Sequence, residues 1–267
     1  MGASVRRHLE LLISYFGNYA KARVEYRGDF FVGLATSVVA TLFSFGFLLV
    51  LFTRIPRLAG WSLEQALFLY GFGLIPFGLF NVFSPNIYEF GNNYIIEGKF
   101  DRVLLRPVSS LFQVMFEAFR LESLQEVATG ILAIWWAGRR MNYAWTAGDL
   151  ATLAVFGVCG ALIYISFFML LSCASFWFED RIGLHPPVWN LIAFGRYPLS
   201  VYSQWIQFVL SWLVPFAFAS FYPSAHLLGR HELRDFAPLA PVVAAACLGL
   251  LIFTWNRGLR QYSSTGS

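Results

Sequence analysis

The chain has 267 residues, of which 58% are hydrophobic and only 13% charged, with a formal charge of +4. A soluble domain carries roughly 25% charged residues, so this chain has too few polar groups to cover its own surface in water. That excludes an ordinary soluble enzyme, and no basic run interleaved with aromatics points to nucleic acid.

Residues 4–27 open the chain with a helical period. Val5, Leu9, Leu12, Ile13, Phe16, Ala20 and Val24 share one face, and Arg6, Arg7, Glu10, Ser14, Asn18, Lys21 and Glu25 the other. The stretch is too polar to span a bilayer. It reads as a helix in the headgroup plane or one packed on a neighbouring protein.

Six apolar segments follow, at about 30–52, 61–83, 110–137, 150–178, 202–222 and 236–255. Each is long enough for a membrane helix, which needs roughly 20 residues. The second carries Gly71, Gly73, Pro76 and Gly78, which mark a kink or close helix packing. The third is strongly apolar only in its second half. Its first half holds Glu117, Arg120, Glu122 and Glu126, spaced so that Glu117 shares a face with Arg120 and Glu122 with Glu126. Two readings of these candidate intramembrane polar pairs stand side by side. Either the helix starts outside the lipid and dips in near Leu124, or Glu117, Arg120 and Glu126 line a polar cavity.

With the N-terminus inside, Arg6, Arg7, Lys21, Arg23, Arg27, Lys99, Arg102, Arg106, Arg181, Arg196, Arg257 and Arg260 fall on the cytoplasmic side. Arg54, Arg57, Arg139, Arg140, Arg230 and Arg234 fall on the other. This excess favours both termini in the cytoplasm. Cys159, Cys173 and Cys247 lie inside apolar segments, and neither a disulfide framework nor a metal-ligand spacing is present. No phosphate-binding glycine loop, zinc-protease helix or nucleophile elbow occurs, so a catalytic site is not expected here.

The loop 84–109 is the most informative connection. It mixes Tyr94, Ile95, Ile96, Phe100, Val103, Leu104 and Leu105 with Glu97, Lys99, Asp101, Arg102 and Arg106. Gly98 permits a sharp turn and Pro107 starts a new segment. Apolar knobs with a charged rim suit a docking surface for a soluble partner; an amphipathic loop on the membrane has the same pattern.

The run Gly98-Lys-Phe-Asp101-Arg-Val-Leu-Leu-Arg106-Pro107 resembles the Gly-x-x-Asp-x-x-Leu-x-Arg-Pro stretch of permease subunits from bacterial type-two ATP-binding-cassette (ABC) exporters. Phe194–Pro198, Pro215–Pro223 and Trp255–Tyr262 fit the same family in the same order. The resemblance implies an all-α integral membrane protein of six transmembrane helices with an N-terminal interfacial helix. It implies an inner-membrane permease, paired with a second permease as a homo- or heterodimer, and two cytoplasmic ABC ATPase subunits. ATP and magnesium would be bound by those subunits, and this chain would need no cofactor. Coupling would map to Asn92–Pro107, with Glu97, Gly98, Lys99, Phe100, Asp101, Arg102, Leu105, Arg106 and Pro107 as its residues. Many such exporters carry a re-entrant helical pair between spans five and six, whereas Tyr222–Asp235 is short here. Two alternatives remain: a lipid-modifying membrane enzyme, whose only acids would be Glu117, Glu122 and Glu126, and the substrate-binding membrane component of a vitamin importer.

Overall fold

The computed structural model describes residues 27–178, 185–230 and 236–263, with 10, 13–15, 17, 19 and 21 of the N-terminal stretch. Most of the expected interfacial helix 4–27 thus lies outside the described residues. Those of it that are described are helical, and Glu10, Ser14 and Lys21 are exposed, as is Ile13.

All regular structure among the described residues is helical. Helix α1 spans Arg27–Arg54 and α2 Leu63–Tyr88. A short α3, Phe100–Leu104, and α4, Ser110–Phe116, precede α5, Leu124–Arg140. Then come α6, Ala147–Ser172, α7, His185–Phe194, α8, Gln204–Phe208, α9, Phe221–Leu227, and α10, Ala240–Leu259. Capping boxes at Ser62/Gln65 and Thr146/Asp149 start α2 and α6 at one end of the bundle, satisfying amide groups that the helix itself leaves open. At that same end Arg230 donates to the Gly60 carbonyl at 3.1 Å and lies 4.9 Å over the Trp61 ring.

Four helical stretches are long and apolar enough to cross a membrane: 28–54, 63–96, 147–176 and 236–259. A bent pair, 204–213 and 216–227, meets the same test jointly, with a 78° angle between its arms. This differs from six continuous spans in three places. The second expected span ends near residue 83, yet α2 runs on through a π-helical turn, Phe90–Ile96, so the first half of the expected loop is helix. The third, 110–137, is broken. Its chain leaves the helix at Glu117 because α2 offers better partners: Asn86 donates to the Ala118 carbonyl at 3.0 Å, and the Arg120 amide donates to Val82 at 2.9 Å. Outside helix, buried backbone needs such replacements. The fifth, 202–222, is the bent pair itself, Gln204–Leu213 and Phe216–Leu227.

Helix α2 is the hub. It packs against α5 on one side and α6 on another, and α10 packs on the far side of α6. The α2–α5 crossing is a backbone contact. A side-chain carbon on Gly71 would sit 2.8 Å from the Ala133 methyl, and one on Gly78 would sit 2.8 Å from Val127. So two of the four breakers serve close packing, as small residues do between membrane helices. Around α2 and α6 lies an aromatic column in which Phe80 stacks on Phe168 at 5.0 Å and Phe168 on Phe216 at 6.0 Å.

Candidate functional site

Two places concentrate chemistry: the end of the bundle that carries α3, and a cavity at mid-height.

At the α3 end, Gly98 takes φ +71°, a left-handed turn that reverses the chain between the π-helical turn and α3. Phe100 then plunges inward and is fully buried. It meets Phe90 at 5.8 Å, Phe176 at 5.7 Å, Trp255 at 5.8 Å and Tyr262 at 5.0 Å between ring centroids. Edge-to-face pairs of this kind add to the apolar burial. Tyr94 and Val103 are buried beside it. With these side chains turned in, the short helix presents a different set outward. Leu105 is 84% exposed and Leu104 46%, with Ile96, Glu97, Lys99, Arg102, Arg106 and Pro107 also exposed around them. The apolar residues of the loop therefore divide into an anchoring set and a presented set.

Several charges have internal partners. Tyr262 donates to Asp101 Oδ1 at 2.9 Å, tying the C-terminal segment to α3. Burial first, then that bond, push the Tyr262 phenol up to about 12. Arg106 donates to the Tyr15 hydroxyl at 2.7 Å, joining the loop to the N-terminal stretch. Glu97 pairs with Lys99 at 2.8 Å, an exposed pair of small energetic weight. Glu117 accepts from Tyr94 rather than pairing with Arg120, and both Glu117 and Arg120 are exposed. Glu117 lines a 240 Å³ pocket with Lys99, Arg102 and Arg106 under the loop.

The second place lies deeper. Glu122, in the short turn just before α5, and Glu126, in the first turn of α5, are buried. Glu122 packs beside Gly33 of α1. Glu126 accepts from Asn81 Nδ2 of α2 at 2.9 Å and lines a cavity of 310 Å³. Thr36, Ser37, Thr41 and Ser44 of α1, Tyr70 and Phe77 of α2, and Trp189, Asn190 and Arg196 beyond them complete its wall. Thr41 is at the midpoint of the apolar stretch 28–54, so this cavity sits at the depth of the hydrocarbon.

Sequence reasoning did not single out Arg196 as part of this cavity. Counted with the cytoplasmic loops, it stands instead over the Phe77 ring at 4.2 Å and reaches the Tyr70 hydroxyl at 3.4 Å. Its signal was visible: no other Asp, Glu, Lys or Arg occurs between Arg181 and Arg230. A lone charge in so long an apolar stretch marks a buried functional position. Of the four charges expected to pair along the third segment, only Glu126 reaches this cavity.

Among the described residues no group of three or more His, Cys, Asp or Glu could hold a metal ion. The arrangement is that of a multi-helix membrane body with a presented knob at one end and a polar cavity at mid-depth. Residues 38–266 match the family model described as "ABC-2 family transporter protein". No curated protein and no solved structure matches the chain. With 38–266 covering most of its length, the chain belongs to the ABC-2 transporter family, as a multi-pass membrane component of an ABC transporter.

Proposed function

We propose that the chain is the permease subunit of an ATP-driven exporter of the bacterial inner membrane, with both termini cytoplasmic. It forms part of the translocation path, pairs with a second permease, and docks one of two ATPase subunits through residues 97–107. The observation that carries this reading is the division of the loop: Phe100 anchors it while Leu104 and Leu105 stand out from the surface. Leu105, exposed to 84%, stands with Leu104 and Ile96 as an apolar knob with a charged rim, which fits a cleft in a soluble partner. The bond from Tyr262 to Asp101 and the one from Arg106 to Tyr15 brace the knob from both sides, so force on it passes to the C-terminal segment and the N-terminal stretch together. The bent pair 204–213 and 216–227 is consistent with a re-entrant element built within the fifth segment rather than in the short Tyr222–Asp235 stretch.

Co-purification from native membranes with mass identification tests the reading. An ABC ATPase should come down with the wild type and be lost with Leu105→Asp, while membrane insertion is unchanged. A clean single species would contradict it. For orientation, Ser263→Cys should resist an impermeant thiol reagent in intact cells, and labelling there would invert the topology.

A further inference from the structure

We propose that the mid-depth cavity is a headgroup site for a zwitterionic amphiphile, whose anionic group meets Arg196 and whose ammonium meets Glu126. The inference rests on reading this cavity as part of the translocation path.

The argument begins with cost. A charge at membrane depth is expensive, and a chain that keeps two opposite charges there ordinarily pairs them. Here Arg196 and Glu126 line one cavity, yet no ion pair joins them among the described residues. Each is held in place by other groups. Asn81 fixes the Glu126 carboxylate, and the faces of Phe77 and Tyr70, at 4.2 and 5.6 Å, hold the guanidinium. Aromatic faces orient a cation without neutralising it. Arg196 Nε is buried with no hydrogen-bond partner, and so is Asn81 Oδ1 beside Glu126. Buried donors of this kind ordinarily have partners, so the Arg196 end of the site is short of one.

The remaining wall fits the same ligand. Thr36, Thr41 and Ser44 donate to carbonyls of their own helix, at 2.8, 2.9 and 3.0 Å. Their hydroxyl oxygens keep lone pairs, which favours a ligand rich in N–H or O–H donors. Tyr70, Phe77 and Trp189 supply apolar surface. At 310 Å³ the cavity is at the small end of ligand sites, enough for a headgroup and the first part of a chain. Helix α1, which forms one wall, is mostly exposed along its length.

The test is native mass spectrometry of the full chain, with whatever subunits co-purify, titrated with three probes of equal chain length. These are lysophosphatidylethanolamine, lysophosphatidylglycerol and an alkyltrimethylammonium salt. The wild type should retain the zwitterion about tenfold better than either singly charged probe, the scale of one charge-assisted hydrogen bond. Arg196→Gln should lose the preference over the cationic probe, and Glu126→Gln the preference over the anionic one. Ser37→Leu, on the loosely packed wall, should reduce retention of all three. Equal retention of the three probes by the wild type would overturn the proposal, as would an order untouched by both charge substitutions. If the charge variants do not fold, the wild-type order and Ser37→Leu still decide. Loss of selective binding with the ATPase still present sinks this inference alone. Selective binding with no ATPase sinks the transporter reading and leaves the site.

Discussion

Helices α1 and α2 are both apolar enough to span a membrane. Yet 89% of the most apolar stretch of α2 is buried inside the chain, against 11% for α1. Hydropathy therefore reports only that a segment avoids water. It does not say whether lipid or protein replaces the water, because lipid tails are as apolar as a leucine side chain. What separates the two is the distribution of small residues and aromatics. Helix α2 places Gly71 and Gly78 where α5 crosses it, and its large rings Phe68, Phe72 and Phe80 are all fully buried. Helix α1 turns Phe31, Phe43 and Phe47 outward, and Gly46 meets nothing within 4 Å.

The sharpest way to break this comparison is to enlarge a glycine on each helix. Gly71→Leu forces a side chain into the α5 backbone and should cost about 3 kcal/mol or more, enough to lose folded protein in detergent. Gly46→Leu should leave thermal unfolding within about 0.5 kcal/mol of the wild type. Equal effects would mean that α1 is packed as tightly as α2. Next comes Phe100→Ala, which empties the centre of the aromatic nest under α3. It should destabilise by about 3 kcal/mol, the usual scale for a buried Phe truncated to Ala, whereas Leu105→Ala, five residues on, should not shift unfolding.

Tyr262→Phe is the smallest effect. Losing the bond to Asp101 should cost about 1 kcal/mol. Because the folded phenol is raised above its ordinary value near 10, its contribution is complete below that pH and is lost as pH climbs through about 12. A tyrosinate absorbance titration of wild type minus variant should show one late-ionising phenol. An ordinary midpoint would remove the Asp101 contact.

Much of this was legible in the residues. Membrane character follows from the scarcity of charge, and the long spans 28–54, 147–176 and 236–259 follow from uninterrupted apolar runs. The loop motif around Gly98 pointed to the family. Periodicity fails where tertiary partners override it. The run 110–137 looks like one helix until Asn86 and Val82 capture its backbone at 118–120. The bend between 213 and 216 is carried by Pro215 and its neighbours, which in sequence look like any proline-containing span. Within the loop, composition identified the apolar residues but could not assign Phe100 to the nest and Leu105 to the surface, since both follow from the turn at Gly98. Arg196 stood out as a lone charge between Arg181 and Arg230, but the stretch around it reads as a loop until α2 is seen beside it.

The most direct test is site-specific photo-crosslinking in native membranes, with the crosslinking residue placed at Leu105 in one protein and at Phe43 in another. The account predicts an ABC ATPase captured from Leu105, and lipid or a second permease but no ATPase from Phe43. An intact, inserted protein that yields no ATPase from Leu105 would contradict it.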